Sequence, residues 1–159
     1  MTLIEVIPGR RLLADEPPPV KVLVVDDDEE DIYLLKRLLR RSKTLAYEVV
    51  ACQSLDEGAM IAAAETIDVL LVDFFLGIDL SIDSDRPNHA VLSLPFILLS
   101  GLDAPDLEEV ARGAGAVGFL CKGGLTVETV DALTLQVLNA ARAGLAARRS
   151  PDALLTLPD

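Results

Sequence analysis

Positive charge is scarce in this chain: 14 Lys and Arg stand against 26 Asp and Glu, a formal net charge of -12. A nucleic-acid backbone or an anionic lipid surface repels such a chain overall, so nucleic-acid binding and docking on a charged membrane are disfavoured. Cysteine is equally sparse. Cys52 and Cys121 both sit in apolar strand-like runs, where a small buried thiol is the ordinary role and a disulfide or metal pair the unusual one; both read as reduced and structural. His89 is the only histidine and lies in a polar stretch without a supporting helix face, which argues against a phosphohistidine role. No apolar run approaches the roughly 18 residues needed to span a bilayer. Met1 to Arg11 lacks a basic segment ahead of a long apolar stretch, so no leader is indicated. The expectation is a soluble, cytoplasmic protein.

Against these absences stands a hydrophobic content of 51% in 159 residues, enough for one domain with a full core. Pro8-Gly9 and the run Pro17-Pro18-Pro19 interrupt regular structure at the start. Residues 1–19 therefore read as an N-terminal extension, 20–149 as the domain, and 150–159 as a tail after a helix stopped by Pro151. Inside the domain, short apolar runs alternate with helical periodicities, the pattern of a doubly wound parallel α/β sheet.

Strands are expected over residues 20–25, 47–52, 67–72, 94–99 and 116–121. Residues 29–41 place Ile32, Leu35, Leu38 and Leu39 at helical spacing. Ser54-Leu55-Asp56-Glu57 has the spacing of a capping box, opening a helix to about Ala64. Pro105 suits the first turn of a helix ending near Arg112. The last helix, over residues 126–148, carries Val127, Val130, Leu133, Val137, Leu138 and Ala141 on one stripe. Between Leu76 and Leu92 a crossover helix is required, but Pro87 and several Asp and Ser residues predict a short or distorted one.

Four apolar runs end in residues that carry chemistry. Asp26 and Asp27 follow Val22 to Val25, Asp73 follows Val69 to Val72, Ser100 follows Phe96 to Leu99, and Lys122 follows Val117 to Cys121. If these strands are parallel neighbours, all five side chains converge at one edge of one sheet. Three carboxylates, a hydroxyl and an ammonium there make a divalent-metal site beside a nucleophilic carboxylate. Taken singly, each has a plainer role: Ser100 as a loop serine, Lys122 as a solvated charge, Phe119 as a core aromatic, and the acids before the first helix as N-terminal acids favoured by its dipole. Asp28, Glu29, Glu30 and Asp31 are assigned to that last role and to no site.

In their order, Val24-Val25-Asp26-Asp27-Asp28, Leu71-Val72-Asp73, Leu98-Leu99-Ser100-Gly101 and Gly118-Phe119-Leu120-Cys121-Lys122 resemble the receiver domain of bacterial two-component response regulators, the CheY-like family, over about Val20 to Arg149. The resemblance implies a flavodoxin-like sheet of five parallel strands in the order 2-1-3-4-5, with ligands outside the carboxyl strand ends at the switch point between the first and third strands. It implies that Asp73 accepts a phosphoryl group from a histidine kinase or a histidine phosphotransfer protein. A carboxylate attacks an anionic phosphoryl group poorly unless charge is neutralised. Mg²⁺ is thus implied, with Asp27 and Asp73 as direct ligands, Asp26 through water and the backbone carbonyl of Phe75 as another.

By the same resemblance, Lys122 and Ser100 hold phosphoryl oxygens. Phe119 is the switch aromatic, and without a hydroxyl it prefers the buried rotamer. The output is a population shift read by a downstream protein target, and a homodimer through the last helix is compatible with it. Too little chain lies outside residues 20–149 for an output domain, so the expectation is a stand-alone receiver and not an enzyme in its own right.

The sequence departs from the family in two places. Phe74-Phe75-Leu76-Gly77 stands where Met-Pro often follows the aspartate. Gly123 replaces a frequent proline after the lysine; a cis bond costs roughly 2.5–4 kcal/mol at a non-proline residue, and its isomer is left open. Two competitors remain. A pseudo-receiver would use the fold as a constitutive interaction module without phosphorylation. A metal-dependent phosphohydrolase would need a second catalytic acid where Phe75 stands.

Overall fold

Successive residues of the apolar runs point to opposite faces of one sheet, and both faces are covered. The computed structural model describes residues 17–76, 79, 80, 82 and 89–148. Most of the expected N-terminal extension, the 150–159 tail, Pro87 and Arg149 lie outside the described residues. In chain order the elements are β1 (Val20–Val25), α1 (Glu29–Leu39), β2 (Tyr47–Cys52), α2 (Leu55–Ala64) and β3 (Val69–Asp73). There follow β4 (Phe75–Leu76), β5 (Asp79–Leu80), a 3-10 turn (His89–Ser93), β6 (Phe96–Ser100), α3 (Pro105–Gly113), β7 (Gly118–Cys121), a second 3-10 turn (Lys122–Gly124) and α4 (Val127–Arg148). The main sheet is wholly parallel with the order β2-β1-β3-β6-β7, the doubly wound arrangement expected.

Val22, Val24, Val69, Leu71, Ile97 and Leu99 pack on one face with α1 and α4. Leu23, Val25, Leu70, Val72, Phe96 and Leu98 pack on the other with α2 and α3. Each such side chain contributes roughly 1.5–3 kcal/mol on full burial, and burial on both faces is why these strands are unbroken apolar runs.

Local chemistry sets the helix boundaries. Ser54 Oγ caps α2 by accepting the Glu57 N–H at 3.2 Å, and Pro105 opens α3. After α3, Gly115 takes a φ of 90°, a left-handed conformation that glycine adopts without strain. Gly118 lets β7 approach α4: a Cβ there would lie 2.5 Å from Leu133 Cδ1.

A buried polar knot fixes α4 against β2. Asp131, 6% exposed, accepts hydrogen bonds from Tyr47 Oη at 2.6 Å and from Ser42 Oγ at 2.8 Å, so both carboxylate oxygens are satisfied. Burial and the Asp131 bond hold the Tyr47 phenol above its ordinary range. Cys52 and Cys121 are free thiols, and burial pushes the Cys52 thiol up to about 11, as suits an unreactive core cysteine.

Several sequence expectations need correction. The third sheet strand begins at Val69, although Ile67 is still buried. Ala141 is exposed and does not extend the buried stripe of α4, which rests on Val130 and Val137. The short helix expected before the fourth sheet strand is present as the 3-10 turn His89–Ser93; the antiparallel pair β4–β5 ahead of it, with Phe75 opposite Leu80, was not expected. Leu76, Val91 and Leu92 are buried in the core on the α2 and α3 face of the sheet. No cis peptide bond occurs among the described residues, so the Lys122–Gly123 bond is trans. None of the described helices is long and apolar enough to cross a membrane.

Candidate functional site

The carboxyl ends of β1, β3, β6 and β7 lie side by side because the strands are parallel and in register, with Val25 beside Val72, Asp73 beside Leu99 and Ser100 beside Cys121. The topology thus brings Asp26, Asp27, Asp73, Ser100 and Lys122 to one edge, as their positions after the apolar runs predicted. Asp26 is only 3% exposed and Asp73 9%, while Asp27 is exposed. One carboxylate oxygen from each of Asp26, Asp27 and Asp73 lies within 4.8 Å of the others. Three hard oxygen donors so close together fit a divalent cation.

The acidic run after β1 divides its work. Asp26 Oδ1 accepts the Asp28 N–H at 3.0 Å, which turns the chain away from the strand. Asp28, in extended backbone, caps α1 by accepting the Glu30 N–H at 2.9 Å. Asp31, assigned from sequence to the solvated helix start, is instead within 2.7 Å of Lys122 Nζ through Oδ2. Its position one turn beyond Asp27 is the signal that sets it on the side of α1 facing the strand ends, and the surrounding acids masked it.

Lys122 Nζ also lies 2.7 Å from Asp26 Oδ2 and 3.3 Å from Asp73 Oδ2. Burial works against its charge, but the bonds to Asp26 and Asp31 and the charge of Asp73 outweigh this, and the ammonium is held above its usual range. Asp73 is affected in a different way. Burial pushes its carboxyl up to about 6, Lys122 opposes the rise, Asp26 adds to it, and a backbone bond from Phe75 opposes it again.

Ser100, fully buried, accepts the Leu102 N–H at 3.0 Å. Phe119 is half-buried and meets Phe74 edge to face, the ring centroids 6.5 Å apart at 87°. Phe74 follows Asp73 directly and donates its N–H to the Leu99 carbonyl at 2.7 Å. The ring on β7 therefore touches the residue that follows Asp73. Beside this edge, Asp26, Asp31 and Lys122 line a cavity of about 350 Å³ that Leu34, Leu38 and Leu125 also line.

No family model matches this sequence, and no curated protein matches it. Solved structures do. A response regulator protein from Burkholderia pseudomallei, with a phosphorylated aspartic acid, a calcium ion and citrate, is 26% identical over 82% of this chain and 75% of its own, with a TM-score of 0.60. The signal receiver domain of the putative response regulator NarL from Mycobacterium tuberculosis is 25% identical, covering 79% and 98%, at 0.59. A response regulator receiver domain protein from Clostridium thermocellum is 24% identical, covering 78% and 98%, at 0.64. The chain has the fold of these CheY-like receiver domains.

Proposed function

We propose that this chain, with its receiver-domain fold, is a phosphoacceptor: Asp73 takes a phosphoryl group from a phosphohistidine of a histidine kinase or phosphotransfer protein. The observation that carries the reading is the placement of Asp73 at the end of a central strand, with the carboxylates of Asp26 and Asp27 within 4.8 Å and an ammonium 3.3 Å away. In the transfer an Asp73 carboxylate oxygen attacks phosphorus, the P–N bond breaks, and the imidazole leaves with the electron pair and takes up a proton. The product is an acyl phosphate. The phosphorylated aspartic acid and calcium ion of the Burkholderia structure support the same reading.

Asp26, Asp27 and Asp73, with the Phe75 carbonyl, are the residues that would hold Mg²⁺. When bound, the ion neutralises charge on the phosphoryl oxygens and so lowers the cost of bringing two anions together. The chain's own groups do the rest. Lys122 supplies a compact positive charge to a phosphoryl oxygen. Ser100 Oγ–H donates a hydrogen bond to another, and its movement leaves room that the Phe119 ring can enter. The two positions of that ring are the states between which phosphorylation shifts the population, changing contacts with a downstream protein. Tyr33 and Leu34, exposed on α1 beside the site, offer an apolar surface to a donor protein.

The test is intact mass after incubation with Mg²⁺ and acetyl phosphate. One added phosphoryl group is expected in the natural chain and none in Asp73→Asn. An unchanged mass in both would point to the constitutive interaction module instead.

A further inference from the structure

Asp31 belongs neither to the three-carboxylate cluster nor to the helix cap. An ammonium has three protons to give. Lys122 directs two short bonds of 2.7 Å to Asp26 and Asp31, and its 3.3 Å approach to Asp73 lies beyond ordinary N–H···O length. Asp26 belongs to the strand-end cluster in any event. Asp31 does not: it sits in the first turn of α1, more exposed than the ammonium it binds, at 36% against 18% for the side chains.

From this division of bonds we infer that Asp31 is a positioning residue, which holds Lys122 away from Asp73 in the unmodified chain and competes with an arriving phosphoryl group for the same ammonium. The inference rests on the phosphoacceptor reading above. When Asp73 carries a phosphoryl group, the dianionic oxygens draw Lys122 across and the bond to Asp31 breaks. Asp31 is then left at the cavity beside α1 with its charge uncompensated. Asp31 thereby sets how readily the site is modified, and it links modification at β3 to the surface of α1.

The test uses the full chain, labelled with ¹⁵N, as the natural protein and as Asp31→Asn, Asp31→Glu and Glu30→Gln. Glu30 is an exposed acid one residue earlier, so Glu30→Gln removes the same charge from the neighbourhood. Two readouts are taken: the Lys122 ammonium signal in chelator, and the rate of phosphoryl uptake from acetyl phosphate at saturating Mg²⁺. Asp31→Asn should move the ammonium signal and raise the rate about fivefold, the factor expected of one partly exposed charge pair. Asp31→Glu should stay near the natural chain in both, and Glu30→Gln should change neither.

An equal rise in Glu30→Gln would reduce the effect to the general field and overturn the proposal. So would a moved ammonium signal with an unchanged rate. A natural chain that takes up no phosphoryl group overturns the phosphoacceptor reading and this proposal with it, whereas failure of the proposal alone leaves uptake at Asp73 intact.

Discussion

Lys122 Nζ stands 2.7 Å from Asp26 Oδ2, so the least exposed carboxylate of the strand-end cluster receives its counter-charge from the turn that follows β7, across the two intervening strands β3 and β6. Both partners are largely buried, at 18% and 4% side-chain exposure. Removing one partner of such a pair leaves the other charge desolvated and unpaired. Lys122→Met should destabilise the chain in chelator by about 3 kcal/mol, the scale of a broken buried pair, measured by urea unfolding. Adding Asp26→Asn to Lys122→Met should recover most of that loss.

The Asp73 carboxyl, pushed up to about 6 by burial, takes its proton more readily folded than unfolded. The sign follows: its stabilising contribution is full below the unfolded value near 3.8 and is lost as pH rises through about 6. In chelator, the natural chain and Asp73→Asn should be about equally stable at pH 4. At pH 7 Asp73→Asn should be the more stable by about 1–3 kcal/mol, from the size of the shift. Saturating Mg²⁺ should close the gap by stabilising the carboxylate. Thermal unfolding across pH, with and without the metal, measures both.

Tyr47→Phe removes one of the two bonds to the buried Asp131 and leaves a carboxylate oxygen unsatisfied. The expected cost is about 1–3 kcal/mol, read by chemical denaturation. Phosphoryl uptake at the strand-end edge should stay unchanged, because the knot lies outside the site.

Gly118→Ala would put a Cβ 2.5 Å from Leu133 Cδ1. The substitution should cost about 1–3 kcal/mol through overpacking. A double-mutant cycle with Leu133→Ala should show a coupling of the sign that relieves this strain.

The strand ends were legible because a central parallel strand leaves little choice: Val22 to Val25 and Val69 to Val72 must be buried on both faces, and the polar residues after them must emerge at the same edge. The α2 start was equally plain, since Ser54 and Glu57 carry the cap in their spacing. Asp31 was not legible in this way. In a run of six consecutive acids from Asp26 to Asp31, composition does not separate a helix-dipole acid from one whose turn of helix aims it at a lysine 91 residues away. The β4–β5 pair has only two residues in each strand, too few for a period to be read from the sequence. The Tyr47–Asp131 knot depends on where α4 crosses β2, a packing outcome without a local signature.

The central claim is that the Asp73 carboxylate itself becomes the acyl phosphate. Borohydride reduction of the chain after treatment with Mg²⁺ and acetyl phosphate, followed by peptide sequencing in the mass spectrometer, tests it most directly, because an aspartyl phosphate is reduced to homoserine. The account predicts homoserine at position 73 and nowhere else. Homoserine at another aspartate, or at none while the chain remains folded and binds Mg²⁺, would contradict it.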